Sequence, residues 1–203
     1  MTLDRKRKTK DPCLECFLHK NLCICSLIPD LETKTRVVLI VHAKELKRTT
    51  NTGRLAMKSL KNSEMRIRGE TTEALDLSDL VNDQYQSLLF FPADDAIELT
   101  EEYLKQFKKP ILLLVPDGNW RQASKVHSRH KELASVPRVM ISKPNLATQH
   151  LRAESFEEGM STLQAIAEAM KIIEGEEVYN SLIKVYQAKL ENTLKGRGQL
   201  PTS

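Results

Sequence analysis

Short apolar runs alternate with amphipathic segments along most of the chain. Strands are predicted where these runs are apolar and partly β-branched, at residues 36–41, 86–91, 111–115 and 138–142, with a weaker candidate at 64–69. Continuous apolar runs of this length are typical of strands that are buried on both faces of a sheet.

Helical periodicity fills the segments between these runs. We expect helices in NTGRLAMKSLKN, DAIELTEEYLKQF and NWRQASKVHSRHKEL, and the first of them has a candidate cap at Asn51 or Thr52. Strands that alternate with helices predict an α/β fold with a mostly parallel sheet flanked by helices.

The C-terminal part of the chain is predicted to be helical. Ser161 and Gln164 have the spacing of a capping box, and an apolar stripe at helical spacing follows them up to Gly175, which is a suitable stop. A last helix is expected over roughly residues 176–194. Such stripes are typical of core-packing faces, so they indicate no function.

Charge is unevenly distributed along the chain, although the net charge is only +4. The first ten residues carry five Lys or Arg against one Asp. Residues 36–68 carry nine Lys or Arg against two Glu, whereas residues 69–106 carry ten Asp or Glu against one Lys. This segregation indicates one surface for an anion and another that repels it; solvated helices that simply carry charge are the alternative.

The sequence shows no apolar run that approaches the ~20 residues of a membrane span. The first residues, MTLDRKRKTKDP, are charged and lack the apolar stretch of a secretory signal. We therefore expect a cytoplasmic protein without a membrane partner.

All four cysteines lie in the stretch CLECFLHKNLCIC. Disulfides are disfavoured in a chain without an export signal, and four buried thiols would need more apolar surroundings than FLHKNL offers. A structural zinc ion held by four thiolates is the favoured interpretation. The ligands would be Cys13, Cys16, Cys23 and Cys25, with His19 as a solvated loop residue.

The cysteine stretch also suggests a division of the chain. Residues 1–30 are predicted to form a basic tail and a zinc-binding element that is separate from the main core. Residues 31–203 are predicted to form the α/β domain.

Polar turns follow most of the predicted strands. In parallel sheets, ligands bind at the carboxyl ends of the strands, so several polar side chains are candidates for one shared binding site. These are His42, Glu45, Asp94, Asp95 and Asp117. A role as a helix cap or a turn residue is the alternative for each of them.

Two predicted helices carry basic residues at helical spacing. Together with neighbouring loop residues they favour contact with a phosphate backbone, as in folded RNA, because few aromatic residues are available for stacking on bases. The candidate RNA-binding residues are Lys47, Arg48, Arg54, Lys58, Arg121, Lys125 and Arg129.

The chain resembles the DTW-domain family of tRNA-uridine aminocarboxypropyltransferases in an ordered set of motifs. These are CLECFLHKNLCIC, NTGRL, FPADDA, PDGNWRQASKV, VPRVMIS, LRAE and STLQAIA, and they extend from about residue 13 to residue 175. Two positions depart from the family pattern. Asn119 stands where the signature usually has Thr or Ser, and Gln149 stands where bacterial relatives often have an aromatic residue.

The resemblance implies an enzyme in residues 31–203 that uses S-adenosylmethionine as donor. It would transfer the 3-amino-3-carboxypropyl group to the imide nitrogen of a tRNA uridine and release methylthioadenosine. Asp117 would act as the base, supported by Trp120. Contacts with the donor are implied for Pro92, Asp95, Val115, Pro116, Leu146, Ser161 and Thr162, while Asn51 and Thr52 would contact the donor or the RNA.

The same resemblance implies a SPOUT-like fold with a knotted C-terminal chain. Two other functions remain open at this point. One is a zinc-stabilised RNA-binding protein without catalysis, which Asn119 favours, and the other is a SPOUT-type RNA methyltransferase.

Overall fold

A six-stranded, all-parallel sheet forms the centre of the molecule. The structure is a computed structural model, and it describes residues 10–46, 48–69, 74–142 and 160–199. The strands are β1 (Arg36–His42), β2 (Ser63–Arg68), β3 (Gln86–Phe90), β4 (Ile97–Glu98), β5 (Ile111–Asp117) and β6 (Arg138–Met140). Their order across the sheet is β2-β1-β5-β3-β6-β4. The predicted fold class is confirmed, and the C-terminal knot stays a prediction.

Helices cover both faces of this sheet. They are α1 (Gly53–Ser59), α2 (Glu101–Leu104), α3 (Trp120–Ala123), α4 (Lys125–Arg129), α5 (Thr162–Glu174) and α6 (Glu176–Gly196). The predicted capping box of α5 is present, since the side chains and backbone N–H groups of Ser161 and Gln164 bond reciprocally. Gly175 ends α5 with a φ of 104°, a conformation that favours glycine.

Alternate side chains of β1 enter two different hydrophobic cores. Val37 and Leu39 face the core that α1, α5 and α6 complete, whereas Val38 and Ile40 face the core on the side of α4. All five central residues of β1 are buried. The continuous apolar runs therefore have the expected cause, which is burial on both faces.

The segment from Asp95 to Phe107 differs from its predicted helix. Its first part contains the short edge strand β4, which pairs with β6. The helix α2 begins only after Thr100, whose side chain accepts a hydrogen bond from the Tyr103 N–H (3.0 Å). The Thr100 cap and the two glutamates after it were the available signals for the true helix start.

The predicted helix over residues 119–133 is also wrong in part, because it is divided into α3, α4 and a 3-10 turn at Lys131–Leu133. The Gln122 carbonyl accepts a hydrogen bond from Arg68 Nη1 at 2.6 Å. In a continuous helix this carbonyl would accept from the Val126 N–H, four residues later. The interruption of the helix falls at Ser124. Arg121, Lys125 and Arg129 consequently lie on two helices and not on one.

The residues between Cys13 and Cys25, here called the cysteine element, are joined to the main core. Cys16, Leu18 and Ile24 are buried in the same hydrophobic cluster as α5 and α6. Lys189 of α6, which is itself buried, donates to the Cys16 carbonyl at 2.6 Å. The expectation that this element is separate from the main core is therefore wrong, whereas the functional division at residue 30 stays a prediction.

Candidate metal centre and candidate active site

The four cysteine sulfurs form a compact group. All four Sγ atoms lie within 4.8 Å of one another. The Sγ–Sγ separations are 3.6 Å for Cys13–Cys25, 3.6 Å for Cys13–Cys23 and 3.8 Å for Cys16–Cys23. A tetrahedral zinc ion with Zn–S bonds of about 2.3 Å places its sulfurs about 3.8 Å apart. The residues present therefore fit a structural zinc ion.

Tight backbone turns hold the first pair of cysteines. The Cys13 N–H donates to the Leu18 carbonyl (2.7 Å), and the Phe17 N–H donates to the Cys13 carbonyl (2.9 Å). Phe17 has a φ of 59°, which is rare for a bulky residue and closes the turn. His19 caps the following 3-10 turn through Nδ1 and is not part of the sulfur group.

The electrostatics of the thiols also favour a cation. Backbone hydrogen bonds from Cys16 and Glu15 lower the pKa of Cys13 to about 6. By contrast, burial and the neighbouring sulfurs raise the pKa of Cys25. Four thiols this close resist simultaneous ionisation, and a divalent cation removes that resistance.

A second polar cluster lies at the carboxyl end of β5, and its centre is Asp117. Asp117 Oδ2 accepts from Asn51 Nδ2 (2.8 Å), and Oδ1 accepts from Thr162 Oγ1 (2.6 Å). The Thr52 hydroxyl accepts from the Leu163 N–H (3.2 Å). Asp117, Asn51, Thr52 and Thr162 are here called the Asp117 cluster.

The Asp117 cluster lies where two helices begin. Thr162 is the first residue of α5, and Asn51 Oδ1 accepts from the Arg54 N–H in the first turn of α1 (3.3 Å). Helix N-termini favour negative charge, so the two helices stabilise a carboxylate at this position. Asp117 is 9% exposed, and Asn51 and Thr52 are also buried, so the cluster lies just beneath the surface.

Close packing of Gly53 holds α1 and α5 together beside this cluster. A Cβ atom on Gly53 would lie 2.8 Å from Leu39 Cδ2 and 3.2 Å from Thr162 Cγ2. Glycine is therefore required for the approach of α1 to both β1 and α5.

A cleft of about 440 Å³ lies beside the end of α3. Its size is within the range of ligand pockets, about 300–1,000 Å³. It is lined by Leu89, Phe91, Pro92, Ala93, Asp94, Asp95, Ala123, Ser124, His127 and Arg138. Arg138 and Asp95 form an ion pair across it.

The cleft and the Asp117 cluster divide the predicted donor-binding residues between them. Pro92 and Asp95 line the cleft. Asn51, Thr52 and Thr162 belong to the Asp117 cluster, and Ser161 adjoins it as the cap of α5. Val115 and Pro116 are buried within β5, and Leu146 lies outside the described residues. All these roles in donor binding stay predictions.

The profile of the DTW domain matches residues 10–194, which is most of the chain. The chain belongs to the DTW-domain family. It is 23% identical over 204 residues to tRNA-uridine aminocarboxypropyltransferase 2 of Macaca fascicularis, an alignment that covers 97% of this chain and 68% of that protein. It is 24% identical over 199 residues to the protein of the same name from Mus musculus, with coverages of 94% and 66%. No solved structure matches.

Asn119, the departure from the DTW signature, keeps the local function of a cap. Its Oδ1 accepts from the Gln122 N–H (2.9 Å), and its own N–H donates to Gln122 Oε1 (2.9 Å). This reciprocal pair is a capping box with Asn in place of Ser or Thr. A Cβ on Gly118 would lie 2.9 Å from Gln122 Oε1, so a larger residue there would press on the side chain that closes the box.

Several of the predicted RNA-binding residues already have partners within the chain. Arg54 lies 4.0 Å over the Phe17 ring, Lys58 pairs with Glu15, and Arg48 pairs with Glu45 at 3.1 Å. Arg54 and Lys58 thus attach α1 to the cysteine element. Their contact with RNA stays a prediction, as does that of Arg121, Lys125 and Arg129, and Lys47 lies outside the described residues.

Three residues of the cleft were not singled out from the sequence. Ser124 and His127 lie on or next to the short helix α4, and Arg138 begins β6. They come together because β6 lies beside β3 in the sheet. No spacing in the sequence signals that neighbourhood.

Of the predicted catalytic pair, Trp120 begins α3, and its side chain lies outside the described part of the molecule. Its role stays a prediction. In the parts of the chain that the structure describes, no helix has both the length and the apolar character that a bilayer crossing requires.

Proposed function

We propose that this DTW-domain protein transfers the 3-amino-3-carboxypropyl group of S-adenosylmethionine to the imide nitrogen of a uridine in tRNA. Family membership over residues 10–194 carries this proposal. The names of the two relatives state the same reaction class for those proteins. The chain aligns with about two thirds of their length, 68% and 66%.

The reaction exchanges one bond for another. The new bond joins the uridine nitrogen to the terminal carbon of the aminocarboxypropyl group, while the bond from that carbon to the sulfonium breaks. The sulfur keeps the electron pair and leaves as neutral methylthioadenosine. The imide proton is released, so atoms and charge balance.

The cleft beside α3 is the proposed donor site. It lies at the carboxyl end of β3, the kind of position where parallel sheets bind ligands, and Pro92 and Asp95 line it. Asp94 brings negative charge to a donor that carries a positive sulfonium, whereas Asp95 is paired with Arg138. Holding donor and uridine in line accounts for much of the expected catalysis.

Asp117 is the proposed acceptor of the imide proton. Asn51 and Thr162 each donate a hydrogen bond to one of its oxygens, which fixes the orientation of the carboxylate. Asp117 ends β5, and the single helical turn of α3 that follows ends at Ala123, which lines the cleft. A base fixed in this way needs no rearrangement during the proton transfer.

The zinc ion would have a structural role. Cys13, Cys16, Cys23 and Cys25 would fill all four tetrahedral positions, which leaves none for a substrate. The ion would hold the cysteine element in the fold that packs on α6.

A labelled donor tests the proposed transfer. Purified protein is incubated with unmodified tRNA and with donor labelled either in the carboxyl group or in the methyl group. Label from the carboxyl-labelled donor alone should reach the RNA. Label from the methyl group would instead identify an RNA methyltransferase.

A zinc-stabilised RNA-binding protein without catalysis is the second candidate. The small exposure of Asp117, 9%, and its bonds to Asn51 and Thr162 favour it, because such a carboxylate also suits a structural role. Calorimetry separates the two. A pure binding module binds tRNA but shows no heat on addition of S-adenosylmethionine.

A further inference from the structure

A group of cationic side chains lies at the carboxyl ends of β1 and β2, away from the cysteine element. His42 and Arg68 are register partners at the ends of these parallel strands. Arg129, the last residue of α4, lies near enough to both side chains that its charge lowers the pKa of each. His42, Arg68 and Arg129 are here called the cationic cluster.

Arg68 is the unusual member of this cluster. Arg68 is only 7% exposed, and its Nη1 donates a hydrogen bond to the Gln122 carbonyl at 2.6 Å. Among the residues that the structure describes, it has no carboxylate partner. A buried guanidinium without an anion is costly, and burial together with Arg129 lowers the pKa of Arg68.

The His42 ring is oriented so that its Nε2–H can donate a hydrogen bond to an anion while the ring is neutral. Its Nδ1 accepts from the Lys44 N–H (3.2 Å), which leaves the proton of the neutral ring on Nε2. The ring packs against Gly69, where a Cβ would lie 3.0 Å from Nε2. Burial, followed by Arg68 and Lys44, lowers the pKa of His42, and Glu45 opposes this.

Arg129 completes the cluster from the side of α4. It is exposed, and no ion pair involves it within residues 10–46, 48–69, 74–142 and 160–199. Two guanidinium groups and an imidazole N–H thus lie at this end of the sheet, and Glu45, the carboxylate that acts on His42, is paired with Arg48. Arginine forks suit the oxygens of a phosphate.

We propose that His42, Arg68 and Arg129 form a binding site for a backbone phosphate of the substrate RNA. The inference rests on the proposed function, since it places the tRNA against the sheet end that carries Asp117. The excess of nine Lys or Arg over two Glu in residues 36–68 favours a polyanion as the partner. The donor's carboxylate is the other anion that the same chemistry would accept.

The main test measures tRNA affinity as a function of salt, without donor. Arg129→Gln should weaken binding roughly fivefold or more at physiological salt and reduce the salt slope by about one. Lys108→Gln is the matched control, because this exposed lysine precedes β5 and lies at the opposite end of the sheet. Equal affinity and slope for Arg129→Gln and wild type would overturn the proposal.

A double variant tests whether one phosphate contacts both side chains. His42→Gln alone should also weaken tRNA binding, and the combined loss in His42→Gln/Arg129→Gln should be smaller than the product of the two single losses. Strictly multiplicative losses would contradict a shared site. Unchanged zinc content and thermal unfolding show that each variant is folded.

Two further arms identify the anion. Inorganic phosphate should shift the NMR resonances of the His42 ring saturably in wild type and not in Arg129→Gln. S-adenosylmethionine should bind wild type and Arg129→Gln equally, whereas a donor affinity that falls with the tRNA affinity would assign the site to the donor carboxylate and overturn the proposal.

These outcomes are independent of the transfer reaction. Loss of tRNA affinity in Arg129→Gln, combined with no label transfer by wild type, would support the phosphate site and contradict the proposed enzyme. Label transfer by wild type, combined with normal tRNA binding by Arg129→Gln, would support the proposed enzyme and contradict the phosphate site.

Discussion

The cysteine element and the Asp117 cluster are both small polar sites, but they are assembled in opposite ways. The cysteine element takes all four sulfurs from thirteen consecutive residues. The Asp117 cluster joins side chains that are 66 and 45 positions apart in the chain. The spacing of the cysteines reveals the first site, whereas the second exists only because the end of β5 and the starts of α1 and α5 lie together at one end of the sheet.

The two sites also depend on the core differently. The cysteine element contributes Leu18 and Ile24 to the cluster formed by α5 and α6, so its order and that of the core are coupled. The Asp117 cluster is supported by helix N-termini that the core already positions. Disruption of the cysteine element should therefore mainly lower the stability of the fold, whereas disruption of the Asp117 cluster should mainly lower the rate of the proposed transfer.

The largest effect is expected on removal of the metal. Cys13→Ser should reduce the zinc content from about one ion per chain and lower the melting temperature by about 10 °C or more, because metal binding supplies folding free energy to the element. Elemental analysis and thermal unfolding measure both quantities.

His19→Ala is the control for the ligand set. It removes the cap of a 3-10 turn but no ligand of the sulfur group, so the zinc content should stay at that of wild type. A metal-free protein as stable as wild type would contradict the account of this region.

The next effect concerns the chemistry at the Asp117 cluster. Asp117→Asn should reduce label transfer by about 100-fold or more, since it removes the proton acceptor, and should leave tRNA binding unchanged. Because the new amide must face two donors, the free energy of unfolding should also fall, by about 1–3 kcal/mol.

Transfer rate, tRNA affinity and unfolding are therefore measured on the same variant. Thr162→Val is the companion, because it removes one hydrogen bond to Asp117 but keeps the carboxylate. Its transfer rate should fall much less. Parallel loss of transfer and tRNA binding in Asp117→Asn would mark Asp117 as structural.

A smaller effect tests the packing that holds the Asp117 cluster together. Gly53→Ala should destabilise the protein by about 1–3 kcal/mol, because the new methyl group would press on Leu39 and Thr162. Gly196→Ala is a matched control in a helix. Its Cβ meets Leu22 at an ordinary 3.4 Å, so a neutral or slightly stabilising change is expected in chemical denaturation.

The smallest effect concerns the departure from the DTW signature. Asn119→Ala should cost about 1 kcal/mol by removing the cap of α3, whereas Asn119→Thr, the residue usual in the family, should retain most of that stability. Denaturant midpoints compare them. A Thr variant as unstable as the Ala variant would show that Asn119 does more than cap.

The sequence predicted the fold better than the site. Runs such as residues 36–41 and 111–115 are strands because both faces are buried, and this leaves a clear pattern. The helix predicted over residues 95–107 is wrong in its first part, since the pairing of β4 with β6 outweighs the helical periodicity there. The helix over 119–133 was divided where a distant side chain, Arg68, takes a backbone carbonyl.

The site was only partly predictable for the same reason. The sequence indicates four individual candidates, Asp117, Asn51, Thr52 and Thr162, but the hydrogen bonds that connect them depend on topology. His127 and Arg138 of the cleft gave no signal. Local spacing identifies sites within one segment, whereas contacts between segments require the structure.

The most direct test of the central claim is mass spectrometry of nucleosides from tRNA treated with wild-type protein and with Asp117→Asn, in the presence of carboxyl-labelled S-adenosylmethionine. We expect a labelled uridine carrying the 3-amino-3-carboxypropyl group with wild type and at most traces with the variant. Unmodified uridine after wild-type treatment, or equal product from both proteins, would contradict it.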